Sequence, residues 1–134
     1  MVTLGWKARI SALWVFMAVA TSAHNVLFFR EPGAVEQIMS GELEGVAMGP
    51  MMLLFMALFW WVPLVMAFLS VALKDSANRR TNIILGIIFT ALNIGHLIEH
   101  ILNPSAHQLL IIGSTVVVTA LIVWHAFKWP KQEA

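Results

Sequence analysis

The chain has 134 residues, of which 60% are hydrophobic and 11% charged, with a formal net charge of +1 and no cysteine. A soluble core of this size cannot hide so much apolar surface, so the composition is that of a chain that crosses a lipid bilayer several times. The near-neutral balance, with no basic run interleaved with aromatics, argues against nucleic acid as a partner. The lack of cysteine excludes disulfide exchange, thiolate metal sites and cysteine nucleophiles.

Four apolar stretches follow in order, at about residues 8–29, 48–73, 81–102 and 106–128. Each is long enough, at about 1.5 Å per helical residue, to cross about 30 Å of hydrocarbon. Lys7 and Arg9 ahead of the first stretch, and Ala20-Thr21-Ser22-Ala23 near its end, have the outline of a secretory signal. We read it as a retained first helix rather than a cleaved leader. Pro32 to Ser40 predicts a short outer helix lying flat on the bilayer surface. Pro32 suits a first turn, Val35, Ile38 and Met39 make one apolar stripe, and Gly41 ends it.

The second span carries Trp60, Trp61 and Pro63 near its middle, where a kink is expected. The third stops at Asn103-Pro104, and Ser105 with Gln108 three positions on reads as a capping box opening the fourth. Lys7, Arg9, Lys74, Arg79, Arg80, Lys128 and Lys131 all fall at one set of span ends. The other set holds only Arg30, beside Glu31, Glu36, Glu42 and Glu44. Cytoplasmic loops collect lysine and arginine, so both termini are expected in the cytoplasm, with Trp6, Trp124 and Trp129 as an interfacial belt there. The expected architecture is an all-α, single-domain membrane protein: a bundle of four transmembrane helices with one short interfacial helix outside.

Ionisable residues inside a bilayer are costly and mark function or a buried contact. In the third span Asn93, His96, His100 and Asn103 recur at steps of three or four and share one face, with Glu99 offset by about 60°. The first span adds Thr21, His24 and Asn25. At about 1.5 Å per residue His24, His96 and His100 lie at one depth near the outer surface. His107 begins the fourth span at that level, whereas His125 lies at the opposite edge and joins no cluster. Two imidazoles at i and i+4 with a third from a neighbouring helix make a three-ligand metal set. His24, His96 and His100 are therefore the candidate ligands, with Glu99 as a fourth ligand, an orienting acceptor or a proton carrier.

The chemistry admits zinc, iron or copper. Met48, Met51, Met52 and Met56 on the outer half of the second span would favour Cu(I) if they turned toward the histidines, but methionine is also ordinary apolar packing. The alternatives are haem held axially by His24 and either His96 or His100, with Trp60 and Trp61 as walls, and a structural, accessory or transport bundle whose histidines only hydrogen-bond or relay protons. The run from His96 to His100 also matches the H-x-x-E-H pattern of inverzincin proteases. Those are soluble and need a further acidic ligand, so the match is discounted. Ala91 and Gly95 form a small-residue pair that lets another helix approach, in the same chain or in a homo-oligomer.

Ser11-Ala12-Leu13-Trp14-Val15-Phe16, Pro63, Leu73-Lys74 with Ala77-Asn78-Arg79, Asn82-Ile83-Ile84 with Gly86-Ile87-Ile88, and Trp124-His125-Ala126-Phe127-Lys128-Trp129 supply a further clue. Together they resemble an uncharacterised family of small bacterial four-helix membrane proteins, a domain of unknown function. The resemblance covers nearly the whole chain. It implies the four-helix architecture and a place in the bacterial inner (plasma) membrane, with the lipid bilayer as partner, and implies no activity.

Overall fold

The computed structural model describes residues 5–130. It contains α1 (Trp6–Phe28), α2 (Ala34–Met39), a hairpin of β1 (Glu42–Leu43) and β2 (Val46–Ala47), α3 (Pro50–Ala72), α4 (Asp75–Leu102) and α5 (Ala106–Lys128). Helices α1, α3, α4 and α5 are each long and apolar enough to cross a membrane. The expected four-helix bundle with a short helix after the first span is what forms; of the cations expected at the inner end, Lys131 lies outside the described residues.

Two boundaries and one cap differ from expectation, each for a local reason. Helix α4 starts at Asp75 rather than Thr81, since Asp75 puts a carboxylate in the first turn, where the helix dipole favours it, and Asn78 is drawn into the core at 0% exposure. Helix α2 starts at Ala34, after Gly33 turns the chain at φ 82°, so Pro32 stands before it. Ser105 makes no capping bond at the start of α5: its Oγ faces the His107 ring at 3.2 Å, and the Gln108 side chain, expected to reach back to it, turns inward. Helix α3 runs through Pro63.

The segment between α2 and α3 pairs Glu42 with Ala47 and Leu43 with Val46. Its two-residue turn, Glu44-Gly45, has φ of 51° and 78°. Two positive φ values are the primed turn whose twist suits a tight hairpin. Glycine adopts them freely, and Glu44 does so at a cost of about 1 kcal/mol.

Helix α1 packs closely on α3 and α5, and α4 packs closely on α5. Helices α3 and α4 approach less, and Phe59 stacks on Phe89 across that gap with ring centroids 5.2 Å apart. Helices α1 and α4 thus face each other across the bundle axis. Between them the core holds Ile10, Trp14, Met17, Met66, Phe89 and Ile122. Gly86 permits the close contact of α4 with α5, because a Cβ there would stand 2.7 Å from Val123 Cγ2. At Gly95, the expected contact glycine, an added Cβ would meet no other helix within 4 Å. Large apolar side chains such as Met51, Leu64 and Phe68 point outward, as a lipid-facing surface requires.

At one end of the bundle the Trp6 ring meets His125 edge-on at 5.5 Å, so the first and last described helices begin and finish together. Cations there hold helix C-termini. Lys7 Nζ donates to Leu73 O at 2.7 Å and pairs with Asp75 at 3.0 Å, and Arg79 Nε donates to Ala126 O at 3.0 Å. Each satisfies a carbonyl that the helix itself leaves open.

Candidate metal centre

The opposite end of the bundle collects the histidines. His24 lies one turn from the end of α1, while His96 and His100 face inward from the last two turns of α4. Their rings sit edge to face, with centroids 4.8 Å (His24–His96), 5.0 Å (His96–His100) and 5.5 Å (His24–His100) apart. The hairpin turn lowers Glu44 onto them. Its carboxylate lies 3.2 Å from His100 Nε2, 3.7 Å from His96 Nε2 and 4.0 Å from His24 Nε2. One ligand atom from each of the four residues lies within 4.8 Å of all the others. Ligands about 2.0–2.1 Å from a tetrahedral zinc stand about 3.3 Å apart, so the set is slightly wider than a closed centre.

Gln108, at 0% exposure, decides the protonation of His24. Its amide nitrogen faces Glu31 Oε1 at 2.9 Å and His24 O at 3.4 Å, two groups that only accept. The nitrogen must therefore donate to both, which turns Gln108 Oε1 toward His24 Nδ1 at 2.6 Å. An amide oxygen only accepts, so His24 carries its proton on Nδ1. In the neutral ring Nε2 then has a free lone pair directed at the cluster, the arrangement by which an outer partner prepares a metal-binding imidazole.

Glu44 stands outside the spanning helices, and its carboxyl is held below its ordinary value. Contact with the His96 imidazole is the main cause, and the charges of His24, His100 and His96 add to it against the opposing effect of burial.

Residues 4–134 match the family described as "Family of unknown function (DUF6326)". The chain belongs to this family. Comparison with curated proteins and with solved structures gives no match. The expected membership of an uncharacterised family is thus shown over nearly the whole chain, and it brings no activity with it.

Of the four site residues expected, the structure brings His24, His96 and His100 together and leaves Glu99 outside. Glu99 is exposed on α4, because its offset from the histidine face carries it to the outer side of that helix. The carboxylate comes instead from Glu44. The only signal for it was a Glu-Gly pair among the outer acidic residues, and nothing in the helical periodicity points to it.

His107 stays on the surface with its Nε2 2.8 Å from Glu31 Oε1, so Glu31 is shared between His107 and Gln108. His125 keeps to the opposite end, donating from Nδ1 to Leu121 O at 2.8 Å. Met51 points outward at 77% exposure. Beneath the cluster lies a cavity of about 20 Å³, lined by Thr21, His24, Asn93, His96 and Thr115 among others. That is room for one water. None of Met48, Met51, Met52 and Met56 lines it.

Proposed function

We propose that the protein binds one transition-metal ion, zinc or else iron or copper, through His24, His96, His100 and Glu44. The centre lies at the outer face of the bacterial inner membrane, in a multi-pass chain with both ends in the cytoplasm. The observation that carries this reading is the meeting of His24 Nε2 with the Glu44 carboxylate at 4.0 Å. With Nδ1 committed to Gln108, these are two acceptors facing each other, and two more imidazoles point at the same carboxylate. Such a group calls for a cation at its centre, either a metal ion or a proton on an imidazole. Three imidazoles and one carboxylate are a borderline donor set that suits zinc, iron and copper and does not suit calcium or magnesium. The orientation rests on the cations gathered at the opposite end, among them Lys7, Lys74, Arg79 and Arg80.

Haem is less well supported. An axial pair has to admit a macrocycle between its two nitrogens, whereas here the rings pack against one another at 4.8–5.5 Å. The cavity beside them is water-sized.

The test is elemental analysis of protein purified without a metal-affinity step. About one ion per chain is expected, falling to background in His96→Ala and His100→Ala. Trace metal that is the same in the parent and both variants would sink the reading and leave a proton as the cation.

A further inference from the structure

We propose that Glu44 is the exchangeable ligand of this centre, and that its place is a binding site for an anionic oxygen donor from outside the chain, a carboxylate or phosphate oxygen. The proposal rests on the metal reading above and names the ligand class of the same site.

The four donors are not equally held. The imidazoles project from α1 and α4, two long helices packed into one bundle, and Gln108 locks one of them from a fully buried position. Glu44 comes from a strap, residues 33–49, whose hydrogen bonds are internal apart from the backbone bonds Ala34 N to Glu31 O and Leu53 N to Gly49 O at its two ends. The strands pair with each other, Met48 N donates to Gly41 O at 2.8 Å, and Glu44 N donates to Gln37 Oε1 at 3.2 Å. Among the described residues Ala34 is the one buried member of the strap, and the Glu44 carboxylate is its one side-chain polar contact to the spanning helices. Apart from the buried Ala34, the strap's polar side-chain attachment to the bundle is thus the contact that a competing anion would replace.

Glu44 stands at the tip of the hairpin turn, at φ 51°. Its side chain is 31% exposed, so solvent already reaches the carboxylate. On the membrane side of the histidines the cavity admits nothing larger than water, which leaves the strap side as the route in.

Three fixed imidazoles with a replaceable fourth ligand are the pattern of an open metal site. The exchange is simple substitution: the Glu44 oxygen withdraws its lone pair from the metal and the incoming oxygen supplies one. One anionic oxygen replaces another, with no change in oxidation state and no proton required. The incoming oxygen has two sources at this depth, a small dissolved anion or a lipid phosphate.

The experiment uses the full chain loaded with cobalt(II), whose visible spectrum reports the ligand set. Stoichiometric cobalt in the parent, lost in His96→Ala, tests the centre itself, and its absence would overturn both readings together. Acetate and inorganic phosphate are then titrated in detergent into the parent, Glu44→Ala and Glu44→Gln, and the same proteins are placed in lipid nanodiscs with and without phosphatidic acid. A tethered carboxylate competes at about millimolar effective concentration. Glu44→Ala and Glu44→Gln should therefore bind cobalt ~10- to 100-fold more weakly, recover with acetate, and shift in spectrum at ~10-fold or more lower anion concentration than the parent. A shift with acetate or phosphate in detergent assigns a dissolved anion, and a shift only with phosphatidic acid assigns a lipid phosphate. A cobalt-loaded Glu44→Ala protein that responds to none of these, or that responds at the same concentrations as the parent, would overturn the proposal.

Discussion

Toward the end of the bundle that carries Trp6 and His125, which we call inner, Trp14 of α1 meets Asn82 of α4; at the opposite end, which we call outer, His24 of α1 meets His96 and His100 of the same α4. Both meetings bury polar side chains on the α1–α4 diagonal, and the chemistry of the two is opposite. The inner group is saturated. Trp14 Nε1 and Ser70 Oγ donate to Asn82 Oδ1 at 2.6 and 3.3 Å, Asn82 Nδ2 donates to Asn78 Oδ1 at 2.7 Å, and Asn78 Nδ2 donates to Ser70 O at 2.7 Å. Every donor has an acceptor inside the protein and no group carries charge, so this network ties α1, α3 and α4 together and offers nothing to a ligand. The outer group has more lone pairs than protons, with three imidazoles and a carboxylate converging and one ring proton already taken by Gln108. Buried polarity is structural where donors and acceptors balance, and points to a ligand where they do not.

The largest effect is expected at the inner end. Asn82→Leu leaves the indole N–H of Trp14 and the amide oxygen of Asn78 without partners, and should destabilise the protein by about 2–4 kcal/mol in reversible unfolding, with metal stoichiometry unchanged in the fraction that folds. A variant that unfolds no more easily than the parent would show that the inner network is not holding the helices.

At the outer end Gln108→Leu removes the acceptor for His24 Nδ1 and should weaken metal retention ~10- to 100-fold. Gln108→Glu combined with Glu31→Gln, which supplies a donor against the new carboxylate, keeps an acceptor there and should retain metal far better than Gln108→Leu. Equal loss in the two would mean that Gln108 acts only by packing.

Acidity separates the ends more finely. The Glu44 carboxyl is held below its ordinary 4.5, so near that pH the folded protein binds fewer protons than the unfolded chain. Its contribution to stability is complete above 4.5 and is lost as the pH falls below that value through the folded one. In metal-free protein the thermal midpoint of the parent should fall more steeply than that of Glu44→Gln on acidification below 4.5. The inner network has no titratable member and should add nothing to this slope. The smallest effect belongs to Glu99. It is exposed and outside the cluster, so Glu99→Gln should change metal retention by no more than about twofold in a competition assay.

The sequence by itself determined the four spans, since about 20 apolar residues in a row have few other uses, and it determined the histidine face of α4, since helical periodicity puts His96 and His100 on one side without reference to the rest of the chain. Depth counted along the helices was enough to pair them with His24. Tertiary structure alone decided the acid. Glu99 is near the histidines in sequence, but helix rotation turns it outward, while Glu44 is remote in sequence and arrives through a left-handed turn of a hairpin that no span pattern encodes. The same holds for Gln108, which local chemistry assigns to the start of α5 and which the packing of α5 on α1 sends to His24 instead. Periodicity fixes which side of a helix a residue occupies; which loop is laid over that side depends on the packing of the whole bundle.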